Sequence, residues 1–143
     1  MRPVMNDGEI AAFLAEQFPQ VAGEFRLERL TPDGLVLRRH VSQAHLRPGG
    51  TVSGPTMFGL ADVAFYLALL SRIGPVALAV TTNVSIDFLR KPMADTDLLG
   101  EARILKLGRQ LAVGDVMIRS EGQDAPVARA SLTYAIPPKK TGQ

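Results

Sequence analysis

Asp62 is the only charged residue between Arg47 and Arg72, and its neighbours, Leu60-Ala61-Asp62-Val63-Ala64, are otherwise apolar. A carboxylate in such surroundings must be paired, protonated or put to chemical use, because burying an isolated charge is costly. The other reactive side chains offer less. With no cysteine, disulfides, cysteine–zinc sites and thiol nucleophiles are excluded. His40 and His45 have no second histidine or acid at metal-ligand spacing, so no metal site is expected and both read as polar surface residues. Ser53 lies outside any G-x-S-x-G pattern and suits a helix cap better than a nucleophile.

Asp62 belongs to a stretch running from Gly49 to Pro75 that reads as a glycine-rich loop feeding a helix over 54–73. Ser53 or Gly54 serves as its N-cap, and Pro55 falls at or near the first helical position, where a missing N–H costs nothing. Gly74-Pro75 stops it, and Arg72 sits in the last turn, where the helix dipole favours a cation. The helix is apolar on every face, so it must be the core of the domain.

Around it, the pattern Asn6-x-x-Glu9 followed by Ile10, Phe13, Leu14 and Phe18 predicts a capped amphipathic helix over 6–18, stopped by Pro19. From Glu24 to Val41, alternation about Thr31-Pro32-Asp33-Gly34 predicts a β-hairpin. Four further strands are expected at Ala77–Leu89, Asp97–Leu107, Gln110–Arg119 and Ala125–Ile136, with turns at Gly108 and Ser120–Asp124. The proline- and lysine-rich tail, 137–143, reads as disordered.

A chain of 143 residues fits a single domain over 1–143. At 46% hydrophobic and 21% charged it is an ordinary globular composition, and a net charge of +2 with scattered basic residues argues against nucleic acid as a partner. The apolar run 55–70 covers only about 24 Å, short of a membrane core of about 30 Å. Asp62 near its middle points the same way, to a core helix rather than a membrane span. The N-terminus lacks the pattern of a secretory signal, which favours the cytoplasm. The expected fold is α+β: a curved antiparallel sheet of about six strands wrapped round one long helix. One sheet cannot cover every side of that helix, so a second copy of the chain is expected to complete the burial, as a homodimer or homotetramer.

The stretch Gly50-Thr51-Val52-Ser53-Gly54-Pro55 through Leu60-Ala61-Asp62-Val63-Ala64 resembles the PaaI-like acyl-CoA thioesterases of the hot-dog fold, which typically show G-x-x-H-G-G followed by L-x-D-x-A. The likeness runs from about Leu35 to Ile136 through VTTNVSIDFLRKP and the turn KLGRQ. It implies hydrolysis of an acyl-CoA thioester with no cofactor beyond the coenzyme A of the substrate. It also implies roles. Gly54 falls where a backbone N–H at the helix start polarises the thioester carbonyl, and Asp62 where an acid activates water or attacks directly. Thr81 matches a hydroxyl position that helps hold the water. Arg90, Lys91 and Arg109 stand where basic residues meet the phosphates of coenzyme A, and the site is shared between subunits. Elementary chemistry agrees, since a helix N-terminus offers unpaired N–H groups and partial positive charge to a developing oxyanion.

This chain departs from the family pattern beside the key glycine. Ser53 replaces the usual histidine, Pro55 the second glycine, and Arg47 an asparagine of some members, which makes Ser53 and Pro55 candidate substrate-binding positions. A non-hydrolytic acyl-CoA binding module is the alternative reading. A hydratase or dehydratase of the same fold would need a histidine on the central helix, and neither His40 nor His45 is there.

Overall fold

Asn6 opens the first helix as its spacing to Glu9 predicts: the Asn6 Oδ1 accepts from the Glu9 N–H at 2.8 Å, and the Glu9 carboxylate accepts from the Asn6 N–H at 3.0 Å. The computed structural model describes residues 2–20, 22–49, 51–76 and 78–138. Helix α1 spans Asp7–Gln17. The hairpin follows as β1, Phe25–Thr31, and β2, Gly34–Arg39, closed by the Pro32-Asp33 turn. The central helix α2 runs Gly54–Ile73, followed by β3, Val80–Phe88; β4, Leu98–Leu107; β5, Leu111–Ser120; and β6, Ala128–Ala135. Each expected element is present, with strand ends shifted by up to three residues. The tail expected to be disordered lies outside the described residues from 139 onward.

All strand pairs are antiparallel, in the order β1-β2-β4-β5-β6-β3. Because α2 joins β2 to β3, the chain must cross the inner face of the sheet to reach its far edge. That crossing places α2 where the alternate residues of each strand point: Leu35 and Leu37, Ala102 and Ile104, Val116 and Ile118, Leu132 and Tyr134. Two glycines set how closely it lies. A Cβ on Gly114 would stand 2.3 Å from the Phe65 ring and 2.1 Å from the Arg103 carbonyl oxygen, and one on Gly100 would stand 3.1 Å from Leu60. The flat backbone at these points is the seat of Phe65 and Leu60.

From Ala64 to Arg72 every side chain of α2 is buried. Helix α1 supplies the cover the sheet lacks, packing Phe13 and Phe18 against Tyr66 at centroid distances of 6.1 and 5.8 Å. Arg72 does more than meet the helix dipole. Its guanidinium is buried and donates to Thr31 O at 2.5 Å and Pro32 O at 3.2 Å, tying the end of α2 to the β1–β2 turn. The first half of α2 is different: Pro55, Phe58, Gly59, Asp62 and Val63 form a stripe that the chain itself does not bury.

The outer face is held by charge. Arg38 donates to Glu28 at 2.5 Å and to Asp97 at 3.0 Å and also reaches Glu121, linking β1, β2 and the segments flanking β4 and β5. The hydrogen bond from Arg38 pulls the Glu28 carboxyl below its ordinary range. Burial would raise Asp97, but Arg38 and the Val41 N–H together outweigh it and bring that carboxyl down too.

Two measurements follow from this packing. Gly114→Ala should destabilise the fold by about 1–3 kcal/mol or prevent folding, read from denaturant unfolding, because the clash is with backbone and a seated ring. Glu28 and Asp97 titrate lower folded than unfolded, so their stabilisation is full above their ordinary values of 4.5 and 3.8 and is lost as pH falls through the lowered ones. Arg38→Met should therefore cost roughly 1–3 kcal/mol near neutrality, and the gap between it and the natural protein should close as unfolding is measured below about pH 4.

Candidate functional site

The α2 N-terminus has few donors left to offer. Ser53 is the N-cap, its own N–H donating to His45 O at 2.8 Å and its Oγ accepting from the Thr56 N–H at 3.3 Å. Pro55 has no N–H. Among the described residues the Gly54 N–H has no partner, so of the four that a helix normally leaves unpaired it alone is free. The Phe88 ring lies against Gly54, 3.2 Å from where a Cβ would stand.

Gly54 opens onto a cleft of about 540 Å³ that Arg47, Phe88, Arg90 and Lys91 also line. Arg90 is partly tethered, donating to Pro126 O at 2.8 Å. Three cations around a free helix N-terminus suit an anionic ligand.

Asp62 faces a different recess, of about 320 Å³, with Phe18, Val63, Tyr66, Val80, Thr81 and Tyr134. Its Oδ1 accepts two short hydrogen bonds, from Thr81 Oγ1 and from the Tyr134 hydroxyl, both at 2.7 Å. Among the described residues Oδ2 has no partner. Burial, with the neighbouring Asp62 carboxylate adding to it, pushes the Tyr134 phenol well above its ordinary range, which keeps it protonated and donating.

A bulge makes the Thr81 contact possible. Val84, Ile86 and Phe88 alternate along β3, and unbroken alternation would turn Val80 inward and Thr81 outward. The pairing shifts between Thr81 and Asn83, so Thr81 stands opposite Tyr134 and faces Asp62, and Val80 is turned out, 55% exposed. Nothing in the strand's composition announces that shift.

The expected site residues thus fall into separate groups. Gly54, Arg90 and Lys91 share the first cleft, with Ser53 as cap and Pro55 exposed beside it; Asp62 and Thr81 share the second recess. Gly54 and Asp62, eight residues apart, are separated by about 12 Å along the helix. Arg109 lies in the β4–β5 turn with Gln110, and the two line one hollow with Lys106 at the end of β4 and another with Ile73 at the opposite end of α2. No group of three or more histidine, aspartate or glutamate side chains able to hold a metal occurs among the described residues.

Sequence reasoning misses two contributors. Tyr134 sits in the inward set of β6 with Ala128, Ala130 and Leu132, and the signal is its hydroxyl, since a buried phenol needs a partner. His45 is a correction: it is buried, not a surface residue, whereas His40 is exposed as expected. The His45 Nδ1 accepts the Ser42 N–H at 2.9 Å, so Nε2 carries the proton toward Glu24 Oε1 at 2.5 Å. The His45 carbonyl then accepts the Ser53 N–H at 2.8 Å, anchoring the loop that enters α2. The His45–Glu24 pair lines neither recess.

Comparison with known proteins bears on the family and the fold. The sequence profile of the thioesterase superfamily matches residues 49–127, more than half of the chain. A candidate thioesterase from Silicibacter sp. TM1040 is 54% identical, with 96% of each chain covered and a TM-score of 0.90. An asparagine-to-aspartate mutant of the phenylacetic acid degradation protein PaaI from Thermus thermophilus is 29% identical, over 83% of this chain and 99% of that one, with a TM-score of 0.71. A hypothetical thioesterase from Streptococcus pneumoniae TIGR4, solved with coenzyme A, shares the fold at 21% identity, over 90% of this chain and 97% of that one, with a TM-score of 0.75. No curated protein matches. The six-stranded antiparallel sheet curved about one long helix is that of a PaaI-like hot-dog protein, and the chain belongs to the thioesterase superfamily.

Proposed function

We propose that the protein hydrolyses acyl-CoA thioesters at a centre assembled between two copies of the chain. The observation that carries this reading is Asp62: a half-buried carboxylate on an otherwise apolar helix, one oxygen tethered by Thr81 and Tyr134 and the other open to a recess. A carboxylate so held is a base with a fixed direction.

Distance along the helix supports the second copy. One chain keeps Gly54 and Asp62 about 12 Å apart, too far to act on one carbonyl. The uncovered stripe of α2 lies beside β3, an edge strand with Val80 and Phe88 exposed. An apolar stripe next to an unpaired strand edge is what a second copy would cover. Two-fold pairing there sets the Gly54 end of one helix against Asp62 of the other, so each of two sites takes its donor from one copy and its base from its partner.

In that site the thioester oxygen rests on the Gly54 N–H. Asp62 Oδ2 takes a proton from water as the water oxygen bonds to the carbonyl carbon, and the N–H stabilises the oxyanion. The tetrahedral intermediate collapses, the carbon–sulfur bond breaks, and the proton passes from Asp62 to the leaving thiolate. Arg47, Arg90 and Lys91, which line the cleft at the helix start, hold the phosphates of coenzyme A. Arg109 is not in that cleft and would reach a substrate only from another copy.

Asp62→Asn should lower kcat by roughly 10²–10⁴ on any acyl-CoA that the natural protein hydrolyses; unchanged turnover would remove Asp62 from the chemistry. Gly54→Pro deletes the one free N–H at the first helical position, its ring displacing Phe88 slightly, and should cost about 10²–10³. If each site draws on two copies, unfolding and refolding the two inactive variants together restores roughly a quarter of natural activity in a statistical mixture. Recovery of none would place donor and base in the same chain.

A further inference from the structure

Tyr134 is held more firmly than packing requires. Its ring is stacked on Tyr66 with centroids 5.9 Å apart and tilted against Phe65 at 5.5 Å, so its position is set by α2 itself. It is 3% exposed, opposite Thr81 across the β3–β6 ladder and opposite Ala112 across β5. From there its hydroxyl stands 2.7 Å from Asp62 Oδ1 and 3.2 Å from the Asp62 backbone oxygen.

Resting on the hydrolytic reading above, we propose that Tyr134 is a positioning residue for the reaction: with Thr81 it locks Asp62 through Oδ1, so that Oδ2 alone meets the attacking water. An aspartate has two equivalent oxygens and a terminal torsion that turns freely between them. One donor would still allow the carboxylate to swing about the bonded oxygen. Two donors arriving from different strands, one on β3 and one on β6, fix the plane of the group as well as its direction. The two tethers are neutral hydroxyls, so neither sets a cation against the carboxylate. The β3 bulge and the rings of Phe65 and Tyr66 exist on either side of this lock, and each presents one of its donors.

Tyr134→Phe keeps the ring and removes only the donor. Against an acyl-CoA hydrolysed by the natural protein, kcat should fall tenfold or more with KM within twofold. Thr81→Val should behave alike, and Thr81→Ser should restore at least half of the natural kcat. A kcat within twofold of natural in Tyr134→Phe would overturn the proposal, as would a rise in KM with kcat unchanged. The crystal structure of Tyr134→Phe decides independently of turnover: a rotated or doubly placed Asp62 carboxylate supports the lock, and an unmoved one refutes it. Full activity in Asp62→Asn would instead remove Asp62 from the chemistry, and no turnover of any acyl-CoA by the natural protein would refute the hydrolytic reading, while the Tyr134→Phe structure would still report on the tether.

Discussion

A helix with no polar face has to be enclosed, and the enclosure of α2 shapes everything else in this protein. The sheet curves round one side, glycines at 100 and 114 let Leu60 and Phe65 sit on its backbone, and α1 closes over Tyr66. These coverings enclose every side of the second half of the helix but only one side of the first. What they leave bare is the stripe carrying Asp62, so the one charged residue of the first five turns lies at the boundary between enclosed and open surface. Deep burial there would leave a carboxylate without water, and full exposure would leave it without direction. The half-buried position gives it both.

The sequence carries the frame because each element announces itself locally. The Asn6–Glu9 box, the Pro32-Asp33 turn, the Ser53 cap and the Gly74 stop are decided by residues within a few positions of one another. Asp62 and Gly54 are legible for a similar reason, a charge alone in an apolar run and a glycine at a helix start. What stays hidden is set by partners distant in the chain. Thr81 faces inward only because the ladder with β6 slips at Thr82, and Tyr134 meets Asp62 across 72 positions. His45 reads as a surface histidine because its partner, Glu24, lies 21 residues away, before the hairpin.

The apolar character of the helix alone argues for a second copy, but the structure gives a narrower reason. α1 removes the general demand for cover along the second half of α2. The demand that remains is confined to the stripe and the β3 edge, and it coincides with the gap between Gly54 and Asp62. On the two-copy reading proposed above, burial and chemistry call for the same partner at the same surface, although they are independent requirements. A surface selected for burial alone would have no reason to hold a tethered carboxylate.

The replacements beside Gly54 make most sense as a pair. Ser53 caps the helix by taking the Thr56 N–H, and Pro55 contributes no N–H at all. Each change removes a donor that a glycine-rich entry would leave available to an oxyanion, so the electrophilic role is concentrated on a single N–H. Ser53 Oγ is itself engaged, 2.8 Å from Thr56 Oγ1, and so offers no substitute for a histidine. Arg47 is the one strongly polar group gained on that side, and it lines the cleft that Gly54 opens onto. A guanidinium there strengthens the hold on an anion without adding a proton donor to the carbonyl. On the hydrolytic reading proposed above, the balance of this entry is shifted toward grip on the carrier, and the burden of accelerating hydrolysis toward Asp62 and the two hydroxyls that aim it.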